Sequence, residues 1–151
     1  MFFIKPKTER KITMSTEENK AIQLRFQDIW NQGDFSIIEE IFNKDYLNHS
    51  IKVKGFESIR QFVTVYRSAF PDVKFTIEDQ VVEGDKVVMR YTITGTHKGE
   101  FQGIAPTGKS IQITGMAIHR IANGKIVGIW ANWDALGLLQ QLGAVSLPIQ
   151  K

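Results

Sequence analysis

The sequence contains no cysteine among its 151 residues. This excludes a disulfide framework, a thiolate nucleophile and a cysteine-based metal site, and it agrees with a cytoplasmic protein. Only three histidines are present, and they form neither a His-x-His nor a His-x-x-x-His pair. No run approaches the roughly 20 apolar residues that cross a bilayer. From these absences we predict no metal site and no membrane association.

Positive charge is concentrated at the start of the chain. The first 13 residues carry four basic side chains and one acid, a net charge of +3 that equals the net charge of the whole chain. The remainder is therefore neutral by formal count, whereas a nucleic-acid-binding surface needs clustered Lys and Arg on a folded face. We predict no nucleic-acid partner, and we divide the chain into a flexible basic extension (1–13), one domain (14–143) and a C-terminal tail (144–151).

Three helices are predicted in the first half. Ser15 and Glu18 have the spacing of a capping box, and the apolar residues that follow at helical spacing indicate a helix over about 16–32. Ser36 and Glu39 repeat the box before a short second helix. A third apolar stripe ends at a proline, which stops helices.

The second half alternates apolar and polar residues with a period of two, which is typical of strands. Between the second and third helices, residues 43–50 are polar and are predicted to be turn-like. Helices followed by long antiparallel strands predict an α+β domain with a curved sheet, whose mouth the helices close around a pocket. The predicted strands cover 73–82, 87–97, 110–121 and 126–133, before a short helical or irregular tail.

Asp134 is an unusual acid, because it ends a strand rich in tryptophan. Alternation places Trp130 and Asp134 on one face and Trp133 on the other. A carboxylate among aromatic side chains loses hydration, which raises its pKa and suits a general base. Two interpretations stay open: Asp134 is a base at the depth of an apolar pocket, or it caps the segment 135–142.

The three histidines also have two interpretations each. His119 shares a strand face with the small residues Gly115 and Ala117, which leave room for a ligand or for a closely packed helix. His49 is a candidate proton shuttle or a loop residue bonded to the backbone, and His97 lies either at the pocket rim or on the outer surface. Large apolar residues are candidates for substrate contact, or plain core: Trp30, Phe62, Tyr66, Met116 and Trp130.

A series of short motifs occurs in a fixed order between about residues 14 and 143. Together these motifs resemble the SnoaL-like polyketide cyclase (ester cyclase) family. They are Gly33-Asp34-Phe35, Ala69-Phe70-Pro71-Asp72, Gly84-Asp85-Lys86, Gly95-Thr96-His97-Lys98-Gly99, Pro106-Thr107-Gly108-Lys109, Gly124-Lys125-Ile126, and Trp130-x-x-x-Asp134 followed by Leu138-Leu139-x-Gln141-Leu142-Gly143.

The resemblance implies the cone-shaped α+β fold shared with nuclear transport factor two and ketosteroid isomerase. The founding enzymes of the family close a ring of an aromatic polyketide by intramolecular aldol condensation, without a metal or organic cofactor. An aspartate acts there as general acid/base and a histidine assists it, and the matching positions are Asp134 and His119. The resemblance therefore implies a cofactor-free cyclase or isomerase acting on a small hydrophobic carbonyl compound.

Other functions are also possible for such a domain, because one fold serves many chemistries. The alternatives are a small-ligand-binding module without chemistry, or a hydrolase or dehydratase variant. Proteins of this fold commonly pair through the open face of the sheet, so we predict a homodimer. The predicted surface carries Arg90, Thr92, Thr94, Gln112 and Thr114.

Overall fold

The computed structural model describes residues 15–148, in which four helices pack against one six-stranded sheet. The sheet has the strand order β2-β1-β6-β5-β4-β3. The helices are α1 (Thr16–Gln32), α2 (Ser36–Ile41), α3 (Phe56–Ala69) and α4 (Ala135–Gln141). The strands are β1 (Phe42–Asn48), β2 (Val53–Lys54), β3 (Lys74–Glu83), β4 (Lys86–Thr96), β5 (Ser110–Ala122) and β6 (Lys125–Trp133).

The predicted α+β fold with a curved sheet and enclosing helices is confirmed. The predicted extension over 1–13 lies outside the described residues, and the tail is described only as far as residue 148. None of the helices within 15–148 is long and apolar enough to cross a membrane. The long strands β3 to β6 form the antiparallel meander that the alternation predicts.

The turn predicted over 43–50 is wrong, because most of it forms strand β1. This strand runs parallel to β6, with Asn48 opposite Ile129. The register shifts between Phe42 and Leu47, and the polar residues within this irregularity are partly or fully exposed. A bulge interrupts the alternation of side chains, so the pattern that reveals a strand is lost here.

The two predicted capping boxes have different outcomes. Ser15 accepts a hydrogen bond from the N–H of Glu18, whose carboxylate accepts from the N–H of Ser15, so the first box is confirmed. The second box is wrong, because Ser36 is already the first residue of α2. Asp34 takes over there and accepts hydrogen bonds from both the N–H and the hydroxyl of Ser36, at 3.0 and 2.6 Å.

Helix α1 covers the open edge of the sheet at β3 with amide side chains. Asn31 donates to the carbonyl of Phe75 at 2.9 Å and accepts from its N–H at 2.7 Å, as a neighbouring strand would. One turn earlier, Gln27 accepts from the N–H of Ile77 at 2.9 Å. Because an uncovered edge strand invites pairing with another chain, these amides protect the sheet.

The same face of α1 continues towards the β3–β4 hairpin. Gln23 is fully buried and donates to the carbonyl of Val87 at 3.1 Å. Asn19 lies one turn earlier and donates to the carbonyl of Gly84 at 3.4 Å. The spacing of four residues from position 19 to position 31 places all four amides on one helix face. This amide ladder, formed by Asn19, Gln23, Gln27 and Asn31, fixes α1 against the sheet and so closes one side of the cavity.

Candidate active site

The concave face of the sheet and helices α1 and α3 enclose an aromatic chamber. Its cavity volume, counted as the space open to the centres of water molecules, is about 70 Å³. Within residues 15–148, no Asp, Glu, Lys or Arg lines it. A charged ligand would lose its hydration there without an opposite charge to replace it, so the chamber suits neutral molecules. Eight of the lining residues are phenylalanine, tyrosine or tryptophan: Phe26, Trp30, Tyr46, Phe62, Tyr66, Phe75, Tyr91 and Trp133.

His119 is the one histidine of the described chain that lines the chamber. Its side chain is completely buried, and neither ring nitrogen has a hydrogen-bond partner in the part of the chain that the structure describes. The ring meets Phe26 edge to face, with centroids 5.2 Å apart. Burial lowers the pKa of His119 to about 3, so the imidazole is neutral near pH 7. A neutral imidazole offers both a donor and an acceptor to a bound molecule.

Tyrosine hydroxyls supply the other titratable groups of the chamber. Burial raises the pKa of Tyr66 to about 12, with a hydrogen bond to the Trp133 side chain acting the other way. Burial also raises the pKa of Tyr91, and the neighbouring Tyr66 adds to this effect. Tyr46 shares a hydrogen bond of 3.3 Å with the hydroxyl of Ser58. All three phenols therefore stay protonated and can donate hydrogen bonds at neutral pH.

Asp134 does not lie at the depth of the pocket, so that prediction of its position is wrong. The side chain is exposed, and its carboxylate accepts a hydrogen bond from the N–H of Gly137 at 2.8 Å at the start of α4. Trp130 is also outside the chamber, so alternation pairs the two residues correctly and the error is the choice of face: β6 turns Ile129, Ala131 and Trp133 to the concave side. Trp133 lines the chamber instead, and the alternative interpretation of Asp134 as a helix cap is confirmed.

Trp130 and His49 lie together outside the chamber. Trp130 is 36% exposed on the outer face of the sheet, and its ring stacks on that of His49 with centroids 4.2 Å apart and an angle of 3°. Gly128 lies beneath this pair, close to both rings. Met116 belongs to the same outer face and is 56% exposed. The predicted positions of all three in the pocket are wrong. Strands β5 and β6 turn the opposite set of side chains inward, and His49 lies in the turn after β1.

His97 is completely buried, but it does not line the chamber. Its Nδ1 accepts a hydrogen bond from the N–H of Thr107 at 3.1 Å and lies 3.0 Å from the Thr107 hydroxyl. Further bonds join the backbone of His97 to Gly108 and Lys109. His97 therefore holds the ends of the 98–109 loop together, and its predicted position at the pocket rim is wrong.

A larger, more open space continues outward from the chamber. The volume of this vestibule, counted in the same way, is about 440 Å³. It shares Phe62, Tyr66 and Trp133 with the chamber, so these three aromatic residues stand between the two spaces. The outer walls are formed by α3, α4 and Phe101 of the 98–109 loop. Together the two spaces accommodate a molecule larger than the chamber alone.

The structure thus brings together only part of the predicted set. His119, Trp30, Phe62 and Tyr66 line the chamber, whereas the other candidates lie elsewhere. Tyr91 is a lining residue that the prediction left out. Its alternation with Met89 and Ile93 on one strand face contained the signal, since all three are buried.

Comparisons with known proteins agree with this fold. The SnoaL-like polyketide cyclase family profile matches residues 20–142. Aklanonic acid methyl ester cyclase DnrD of Streptomyces peucetius is 30% identical over 128 residues, which cover 79% of this chain and 86% of DnrD.

Two solved structures are similar over most of the chain. TsrD from Streptomyces laurentii has a TM-score of 0.82 and 29% identity, and the match covers 87% of this chain and 99% of TsrD. AclR from Streptomyces galilaeus, a candidate hydroxylase, has a TM-score of 0.80 and 30% identity, with 89% of this chain and 91% of AclR covered.

Proposed function

The chain belongs to the SnoaL-like polyketide cyclase family, and we propose that it is a cofactor-free cyclase or isomerase in which His119 moves the proton. The substrate is a small, neutral, hydrophobic carbonyl compound. The observation that carries this proposal is a buried imidazole with two unpartnered nitrogens in the wall of a chamber that, among the described residues, has no charged lining. An unsatisfied buried polar group costs about 1–3 kcal/mol, and a ligand that bonds to His119 would recover part of that cost.

The proposed reaction begins with removal of a proton next to the ligand's carbonyl. One nitrogen of neutral His119 accepts this proton, and the ligand becomes an enolate. The enolate carbon then attacks a second carbonyl of the same molecule, which forms the new C–C bond. The resulting alkoxide takes the proton back from the imidazolium, so the protein ends the cycle unchanged. In an isomerisation, the proton returns to another carbon of the enolate instead.

The low pKa of His119 in the empty chamber makes it a weak base before a ligand arrives. A negative charge that develops on the ligand's oxygen next to the ring favours the imidazolium and raises that pKa. Proton transfer is therefore coupled to the presence of a ligand that can carry the charge. Buried aromatic walls strengthen this attraction, because the local dielectric constant is low.

Asp134 remains the alternative base that the family resemblance implies. Its carboxylate would have to leave the N–H of Gly137 and turn from the start of α4 towards the vestibule, whose wall includes its neighbours Trp133 and Ala135. We therefore propose His119 first, and variants at both positions separate the two hypotheses.

The test is deuterium exchange at the α-carbon of neutral aromatic ketones, followed by NMR in D₂O. We expect His119→Phe to slow exchange by about 100-fold or more, the usual contribution of a general base. Arg120→Gln is the control, because Arg120 is the next residue of β5 and is exposed. An unchanged rate in His119→Phe, with the fold intact, would falsify its role as the base.

Ligand binding without chemistry is the second candidate function. The specific observation in its favour is the lowered pKa of His119, which suits an imidazole that only exchanges hydrogen bonds with a neutral guest. This function predicts saturable binding of a ketone in the wild type, with no exchange above the solvent rate.

The homodimer is also a proposal, and the outer sheet face supports it. An apolar row crosses four strands in register, from Val81 on β3 through Val88 and Ile118 to Trp130 on β6. Beside it, Arg90 and Asp79 form an exposed ion pair at 2.6 Å. A second copy of the chain would cover this apolar row, which is otherwise partly exposed to water.

A cytoplasmic location stays a prediction.

A further inference from the structure

Tyr91 occupies a position that its neighbour on the next strand makes possible. It lies on the inward face of β4, directly opposite Gly115 of β5. A Cβ atom at position 115 would lie 2.4 Å from both the Cζ and the hydroxyl oxygen of Tyr91, far inside contact distance. The end of the phenol ring therefore lies over the backbone of Gly115. Any larger residue at 115 would force the tyrosine to move.

The ring of Tyr91 is also held from β3, the other neighbour of β4 in the sheet. Phe75 of β3 stacks on it, with centroids 4.6 Å apart and an angle of 21°. The phenol is thus fixed between an aromatic ring and the backbone of the sheet. A group fixed in this way loses little conformational entropy when it forms a hydrogen bond.

The hydroxyl of Tyr91 is free to form a hydrogen bond with a ligand. The Tyr46 hydroxyl bonds to Ser58, but no hydrogen bond of the Tyr91 hydroxyl is found among the residues that the structure describes. Tyr91 lines the same chamber as His119, on the strand next to it. A protonated phenol is a donor, and a neutral carbonyl oxygen is the acceptor that fits an uncharged chamber.

We infer that the Tyr91 hydroxyl donates a hydrogen bond to the carbonyl oxygen of the ligand, and that Gly115 is the positioning residue that keeps the phenol in place. This inference rests on the proposed function, because it concerns the same chamber. In the proposed reaction, the oxygen held by Tyr91 is the one that becomes negative in the enolate. A donor already fixed at that oxygen stabilises the charge as it develops, without reorganisation.

The test compares two ligands that differ only in the acceptor: 2-acetylnaphthalene, which has C=O, and 2-isopropenylnaphthalene, which has C=CH₂ at the same place. Their dissociation constants are measured by tryptophan fluorescence at pH 7. We expect the wild type to prefer the ketone, and we expect Tyr91→Phe to reduce this preference about 3- to 10-fold, the range of one neutral hydrogen bond. A role in packing alone would change the binding of both ligands equally.

Gly115→Ala is the second variant, since it keeps the hydroxyl but displaces the ring. It should lower the ketone preference as Tyr91→Phe does. Thr92→Val is the control, because it removes a hydroxyl from the next residue of β4, on the outer face. Equal affinity of the wild type for the two ligands, including no measurable binding of either, would overturn the inference, and so would an unchanged preference in both variants.

This experiment is independent of turnover. If exchange by the wild type is absent but the ketone preference depends on Tyr91, the proposed chemistry fails and the hydrogen bond stands. If exchange depends on His119 while the preference ignores Tyr91, the chemistry stands and this inference fails.

Discussion

The backbone N–H of Gly137 donates a hydrogen bond of 2.8 Å to a carboxylate oxygen of Asp134, so the acid that follows the last strand caps the last helix. Replacing Asp134 by Ala should lower the free energy of unfolding by about 1 kcal/mol, the usual cost of a lost N-cap. Asp134→Asn keeps a capping oxygen and should retain both stability and α-proton exchange. Denaturation curves and exchange rates check these outcomes. A large loss of exchange in a fully stable Asp134→Asn protein would instead identify Asp134 as the base.

Gly137 provides a second measurement of the same cap. A Cβ atom at this position would lie 2.1 Å from the second carboxylate oxygen of Asp134. Helix propensity alone predicts that Gly137→Ala stabilises α4. We expect the opposite sign in thermal unfolding, because the methyl group pushes the capping carboxylate away. A stabilised Gly137→Ala protein would show that the cap adapts without cost.

His119 makes stability depend on pH in a predictable direction. Its pKa is about 3 in the folded protein and near 6.5 when unfolded, so between these values the unfolded chain binds a proton that the folded chain does not. Stability is therefore lost as pH falls below 6.5, by about 2 kcal/mol between pH 7 and pH 5 from this one group. Urea unfolding of wild type and His119→Phe at both pH values checks this. We expect the variant to lose less stability over that interval, and identical pH dependence would contradict the neutral buried state.

The vestibule should contribute to the binding of any ligand too large for the chamber. Leu139 of α4 lines it, whereas Leu136 of the same helix does not line it and is exposed. A carboxylate at position 139 would lose hydration against an apolar ligand, so Leu139→Glu should weaken binding of 2-acetylnaphthalene about tenfold or more. Leu136→Glu is the matched control and should bind normally. Equal affinities for the two variants would show that the ligand does not extend into the vestibule.

The amide ladder of α1 should matter more for stability than its polar character suggests. Asn31→Leu leaves both the N–H and the C=O of Phe75 without their partner, at a cost of about 2 kcal/mol or more. Gln32→Leu, the next residue and exposed, should change stability by less than about 0.5 kcal/mol. Chemical denaturation measures both, and light scattering should show more self-association in Asn31→Leu. Equal stability of the two variants would contradict the ladder's role.

The outer sheet face predicts the effect of a charge on assembly. Met116→Lys places an ammonium group beside the apolar row of Val81, Val88, Ile118 and Trp130, and it should shift a dimer towards monomer. Leu24→Lys, at an exposed position on α1, is the control. Sedimentation or light scattering at micromolar concentration checks both. A wild-type monomer under these conditions would defeat the proposed homodimer.

The fold could be predicted from sequence because its long elements repeat their pattern many times. Strands β4 and β5 alternate over eleven and thirteen residues, which fixes both the strands and their buried faces. Strand β1 was hidden, because a bulge interrupts its seven residues and it pairs with the distant β6. The ladder of α1 was also missed, since amide side chains on a helix normally indicate a solvated face.

The site was harder to predict, because alternation shows which residues share a face of a strand but not which of the two faces is concave. Trp130 and Asp134 are both exposed, whereas Trp133 lines the chamber, so the pairing predicted by alternation holds and the assignment of its inner face fails. His119 lies well inside β5, where alternation holds, and it lines the chamber. The room predicted from Gly115 is filled by the Tyr91 ring, a cross-strand contact that requires the register of β4 and β5. Side-chain packing of this kind is not contained in a single strand's pattern.

The position of α1 in the chain has a consequence for synthesis. Residues 16–32 leave the ribosome before strand β3 at 74–83, so the segment that bonds to this edge is already synthesised when the edge strand appears. The segment that covers the β3 edge is thus made before the edge itself can meet other nascent chains. A circular permutant that places α1 after β6 would reverse this order, and its yield of monomeric protein would show whether early synthesis of α1 matters.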